Sequence, residues 1–195
     1  MNRLDRLIEA ERALVPRSRY ADKSKSLFMH FLNLFVWWFN KKFMTDFITT
    51  VGAKSFFPPA LLDPRVVDDQ AMMVECHEFV HKWDFWKNEF TFGIKYLLSK
   101  ACRRDAELRG YTMTMYTYWL RFKTAAPAAQ YVKYFTGPDY LYMERDGDLV
   151  RNKLQAAQNL FVKSEDLFLI PEDAAPYRLV REFFKKEGLL HASLS

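Results

Sequence analysis

Residues 76–81 read Cys-His-Glu-Phe-Val-His, and the H-E-x-x-H pattern within them is meaningful only on a helix. A helix sets positions four apart on one face, one turn from each other. His77 and His81 can then reach a single metal ion together. Glu78 is turned about 100° from His77 on the same helix. It is therefore not a ligand here, and stands where a carboxylate can hold and deprotonate a water at the metal. Shuffling four histidines and eleven glutamates over the chain gives the pattern about 0.005 times. The opposing reading is two surface histidines with an incidental glutamate.

The flanking residues favour a site. A helix from Gln70 to about Trp83, capped by Asp68 or Asp69, carries Met73, Cys76, Val80 and Trp83 at spacings of three and four. That stripe puts the two histidines at the edge of a core, where a metal finds a dry shell and an open position. A third protein ligand is needed. Glu107, within Arg103-Arg104-Asp105-Ala106-Glu107 on a following helix, leads the candidates, with Asp105, Asp84 and Glu89 as competitors. A surface ion pair with Arg103 or Arg104 is the bland alternative for Glu107. Asp84 shares the histidine face and can orient a ring by accepting its other N–H, or be an ordinary helix residue. Tyr111, one turn past Glu107, can steady an oxyanion or simply pack.

The rest of the chain suits a folded core. Its 195 residues include 18 Phe, 10 Tyr and 5 Trp, which excludes disorder, and two cysteines make no disulfide framework. Cys76 and Cys102 read as reduced thiols, which points to a cytoplasmic setting. The first fourteen residues are charged throughout and do not read as a signal peptide. The longest apolar run, 27–39, is too short to cross a bilayer. A formal charge of +5 permits an acidic partner without demanding one.

Periodicity gives a helix over 1–14 ended by Pro16, and a second from Ser24 or Ser26 to about Phe43. The second is apolar nearly all round (Leu27, Phe28, Phe31, Leu34, Phe35, Trp38), so it is expected within the core. Residues 46–57 read as a strand or tight hairpin bent at Gly52. An aromatic loop is expected over 84–92, then helix over 94–122, bent at Gly110, with a strand over 112–118 as the alternative. Three more helices follow near 128–135, 149–162 and 175–190, with turns at Gly137-Pro138 and 146–148. The sum is a predominantly helical α+β fold in a single domain, 1–195. His30 reads as a satisfied core histidine and His191 as a solvated tail residue. Tyr131-Val132-Lys133-Tyr134-Phe135 can stack on single-stranded nucleic acid, though one-sided helix packing is the commoner use of such a segment.

Several stretches together resemble the zincin superfamily, in particular small gluzincin-like metallopeptidases of bacteria and phages. These stretches are Thr49-Thr50-Val51-Gly52, Phe57-Pro58, the 77–81 motif, Tyr96-Leu97-Leu98 and Arg104-Asp105-Ala106-Glu107-Leu108-Arg109-Gly110-Tyr111. Asp84 stands where such proteins often carry Gln, and Gly110 where Ala is usual. The resemblance covers residues 40–120, which it implies form a zincin-like core with a small β element packed on the motif helix. Residues 121–195 are then a helical extension. It also implies Zn2+ held by His77, His81 and Glu107, Glu78 as general base, Tyr111 as a candidate helper, and peptide or protein as substrate. A competing expectation is a metal-binding structural or assembly protein, such as a phage virion component, with little activity on the same scaffold. A nucleic-acid-associated protease is the third.

Overall fold

A computed structural model describes residues 1–38, 40–63, 68–124, 126–137, 143–164 and 174–194, without the side chains of Asp68, Glu89, Phe90 and Ser164. It is predominantly helical, with one small three-stranded sheet. Contacts divide it into two compact units, Met1–Gly93 and Ile94–Ser195, the boundary falling inside one long helix. None of the described helices is long and apolar enough to cross a membrane.

The first unit opens with α1 (Arg3–Glu11), closed at its N-terminus by a reciprocal Asn2–Asp5 capping box. Then come β1 (Arg19–Asp22), α2 (Leu27–Val36), β2 (Thr49–Val51) and β3 (Lys54–Phe57). The expected hairpin over 46–57 is β2 and β3. Gly52 takes a φ of +61° at the first of its two turn residues, the left-handed region a II′ turn demands. Sequence reading missed β1, which pairs parallel with β3 and makes the strand order β1-β3-β2.

Strand alternation decides what each sheet face meets. Phe57 packs with Leu4, Ile8 and Ala71, while its neighbour Phe56 packs with Met29 and Phe43. Ser55 shares the face of Phe57, and Thr50 lies opposite Ser55 in the β2–β3 register. Two hydroxyls therefore stand on the face that also meets Ala71 of α3 (Asp68–Leu98).

Helix α2 corrects an expectation. Ser26 caps it as foreseen, its Oγ accepting from the Met29 N–H, but it ends at Val36 rather than near Phe43. Nor does it lie within the core. Met29, Leu32 and Val36 face inward, whereas Leu27, Phe28, Phe31, Leu34, Phe35 and Trp38 are all exposed. A helix apolar on nearly every side satisfies one face against its neighbours and leaves the other facing outward. His30 is exposed as well, its Nε2–H donating to the Ser24 carbonyl at 2.7 Å.

The aromatic loop expected over 84–92 is also overturned, because α3 runs unbroken from Asp68 to Leu98. No proline or glycine interrupts those nine residues, and Phe85 and Phe92, two turns apart, meet edge to face at 4.9 Å. Gly93 makes room rather than a break: a Cβ there would come within 2.9 Å of the Phe85 ring. The break falls at Ser99, whose Oγ caps α4 (Lys100–Phe122) by accepting from the Cys102 N–H. Residues 112–118 are helical, not a strand.

The second unit adds α5 (Ala129–Thr136), α6 (Gly147–Ser164) and α7 (Ala174–Lys186), close to the three helices read from periodicity. Pro138 of the expected turn lies outside the described residues. Tyr116 of α4 anchors the core against Trp119, Phe161 and Tyr177. The Tyr177 hydroxyl donates to the Arg109 carbonyl at 3.2 Å, tying α7 to α4.

Candidate metal centre

The helix that continues through 84–92 also fixes His77 and His81 one turn apart. Both are buried, and their Nε2 atoms approach to 3.2 Å, the rings meeting edge to face at 5.0 Å. Two nitrogens each about 2.05 Å from a tetrahedral ion stand about 3.3 Å apart. The pair already has the bite a metal requires.

Glu107 sits on α4, 2% exposed. Tyr96 donates its hydroxyl proton to Glu107 Oε1 at 2.6 Å, and Arg103 holds the same turn of α3 by donating to the Tyr96 and Leu97 carbonyls. One ligand atom from each of His77, His81 and Glu107 lies within 4.8 Å of the others, and all three residues are buried. Among the described residues this is the group of such donors that can hold an ion. The donor set is two imidazoles and a carboxylate, a combination that suits a divalent ion such as zinc.

Asp105 is half exposed and paired with Arg104 at 2.9 Å and Lys153 at 4.0 Å. Arg104 also reaches Glu144 at 2.9 Å. Asp84 is buried, and its backbone carbonyl accepts from the Asn88 side chain. The Glu89 side chain lies outside those described. The Tyr111 ring stacks on Tyr134 at 5.3 Å and packs against Tyr131 and Phe135. That cluster also occupies the 131–135 segment whose aromatics the sequence offered to nucleic acid.

Glu78 is held from the sheet. Thr50 of β2 donates its hydroxyl proton to Glu78 Oε2 at 2.6 Å and lies 3.2 Å from Ser55 Oγ. Ser55 donates to Glu75 Oε1 at 3.1 Å, and Glu75 accepts from Lys82. Lys82 spends its other protons on Glu11 Oε2 and Ser18 Oγ, both at 3.0 Å, and Ser18 in turn donates to Glu11. A continuous polar chain thus runs from Glu78 through two hydroxyls to a buried cation between two carboxylates. Burial, then the charge of Glu75, raises the Glu11 pKa to about 8. Burial raises Glu75 as well.

A second buried cation stands near Glu78. Lys23 is fully buried, its Nζ donating to the Phe43 and Phe47 carbonyls at 2.6 and 2.9 Å and to Thr49 Oγ1 at 2.7 Å. Burial lowers its pKa to about 7, and attraction to Glu78 works the other way. Cys76 is a core thiol pushed well up by burial.

Sequence reading missed Thr50, Ser55, Lys23, Lys82, Glu75 and Glu11 as a set. One signal was available: Glu75, Glu78 and Lys82 fall at i, i+3 and i+7, a charged stripe on a helix whose neighbours are apolar. Compared with protein-family models, curated proteins and solved structures, the chain matches none.

Proposed function

We propose that the chain is a zinc-dependent peptidase of the zincin type, with His77, His81 and Glu107 as metal ligands and Glu78 as the base. The observation that carries this reading is the convergence of those three donors within 4.8 Å, beside a glutamate that another element holds in place.

An ion so held supplies Lewis acidity toward a substrate carbonyl and makes water acidic near neutral pH. The chain's own residues do the rest. His77 and His81 fix two ligand positions from one helix face, and Glu107, steadied by Tyr96, adds the negative charge that favours a cation. Glu78, aimed by Thr50, takes the proton of the attacking water and returns it to the leaving amine. The strand order leaves β2 at a sheet edge. An extended peptide pairing along β2 lies beside Thr50, the residue that touches the base, and backbone pairing of this kind asks little of the substrate's sequence.

Metal content of the wild type, His81→Ala and Glu107→Ala, purified without a metal-affinity tag, tests the ligand set. About one zinc per wild-type chain, lost in both variants, is expected. Glu78→Ala should keep the metal and lose cleavage of a peptide library. Cleavage that survives this change in a zinc-loaded protein would sink the mechanism. Zinc binding with no cleavage by the wild type would leave a metal-binding assembly protein.

A further inference from the structure

Among the described residues, helix α2 carries an exposed apolar stripe. Leu27, Phe31, Leu34, Phe35 and Trp38 recur at helical spacing on the outward side, with Leu27 87% and Trp38 86% exposed, and Trp37 stands beside them. Large aromatic and leucine side chains clustered this way exceed the scattered exposed residues that need no explanation.

Charge says what covers the stripe. From Lys23 to Thr45 the sequence contains no Asp or Glu, and exposed lysines stand at both ends of the helix: Lys25 before it, Lys41 and Lys42 after it. Lys25 and Lys42 make only long surface pairs, with Asp22 at 3.5 Å and Asp46 at 3.7 Å, which are easily exchanged. Lys41 lies 5.6 Å from the Trp37 ring centre, so cation and indole occupy one level. Indole, phenyl and leucine side chains bounded by lysines are what an amphipathic element uses to lie in a lipid interface, with tryptophan at the headgroups and cations on anionic phosphates. Ten residues of helix extend about 15 Å, enough to lie along a bilayer and too little to cross it.

We propose that α2 is an interfacial anchor that seats the protein on an anionic lipid surface, its outward aromatic stripe in the acyl boundary and Lys25, Lys41 and Lys42 among the headgroups. The stripe residues make none of the inward contacts of Met29, Leu32 and Val36, so they can be changed without touching the core. The anchor is independent of the metal reading.

The test is co-sedimentation of the full chain with phosphatidylcholine vesicles, with and without phosphatidylglycerol, while tryptophan emission is followed and quenched by brominated lipid. Binding to the anionic vesicles with a blue shift and quenching is expected, weakening as salt rises. Replacing Phe31→Ser and Leu34→Ser together should lower the partition by roughly tenfold or more per residue. Replacing Lys41→Ala and Lys42→Ala should lower it by roughly fivefold each. Circular dichroism and metal content should match the wild type in both variants, which separates loss of the anchor from loss of the fold or of the metal centre. No binding to anionic vesicles overturns the proposal, as does binding that neither variant weakens. A concentration-dependent dimer abolished by the Phe31→Ser, Leu34→Ser change, without vesicle binding, also overturns it and makes the stripe a contact between copies.

Discussion

Glu11→Gln tests the buried polar chain through the pH dependence of stability. The Glu11 carboxyl is fully buried, with Glu75 nearby and Lys82 donating to it. Burial first, and repulsion from Glu75 second, raise its pKa from 4.5 to about 8 despite the pull of Lys82. Between those values the folded protein keeps a proton that the unfolded chain has released. The group's contribution is therefore fully present below about pH 4.5 and is lost as pH rises through 8. At about 1.4 kcal/mol per pH unit, the loss across that window is at most ~5 kcal/mol. Glutamine keeps the shape and does not titrate. The stability of Glu11→Gln minus that of the wild type should climb by roughly 1 kcal/mol per pH unit from about pH 5 to about pH 8. A constant offset from altered bonding to Lys82 and Ser18 does not affect this slope. Urea unfolding followed by tryptophan fluorescence reports it, and whatever is common to the two proteins cancels in the difference. A difference that stays flat across the window refutes the reasoning.

Other consequences are separately measurable. Lys23→Met should remove a rise in stability between about pH 7 and pH 10.5, because there the unfolded lysine holds a proton that the buried one has lost; the same unfolding assay at alkaline pH reads it. Thr50→Val should leave zinc content unchanged and lower peptide cleavage by roughly tenfold, since Glu78 loses the donor that aims it. Cys76 should resist a thiol reagent in the native protein and react in urea, while half-buried Cys102 reacts without unfolding. Gly52→Ala should cost ~1–2 kcal/mol in thermal unfolding, all of it backbone strain, because a Cβ at that site meets nothing within 4 Å.

Much of this architecture was legible because its signals are local. The i, i+4 histidines, the Ser26 cap, the hairpin at Gly52 and the three later helices each follow from a few neighbouring residues. The misreadings arose where local signals are silent. Apolar side chains on nearly every side of a helix do not say which of them are covered, so α2 was expected inside when only Met29, Leu32 and Val36 are engaged. Aromatic crowding over 84–92 suggested a loop, although nothing there breaks a helix. Strand β1 pairs with residues 35 positions away, beyond any local pattern. The hydroxyls of Thr50 and Ser55 became partners of Glu78 and Glu75 only once sheet register and helix face were both set.

The polar chain raises a question of energetics whose answer bears on the base. A buried cation between carboxylates is weak support for stability, since well-packed apolar side chains often do as well. Its effect here is geometric: Lys82 uses all three protons on Glu11, Ser18 and Glu75, which fixes Glu75, which orients Ser55, which stands against Thr50. Thr50 has one proton and gives it to Glu78, and Ser55 gives its own to Glu75, so the two hydroxyl oxygens touch at 3.2 Å and each limits where the other can turn. If this account is right, Thr50→Val and Glu75→Gln should be coupled by about 0.5–3 kcal/mol in their effects on peptide cleavage, though the two residues share no direct bond. The coupling should vanish when Ser55→Ala is introduced first, because the link between them is then gone. Coupling that persists in the Ser55→Ala background would mean that the two act through the backbone of α3, and that the hydroxyl chain is packing rather than positioning.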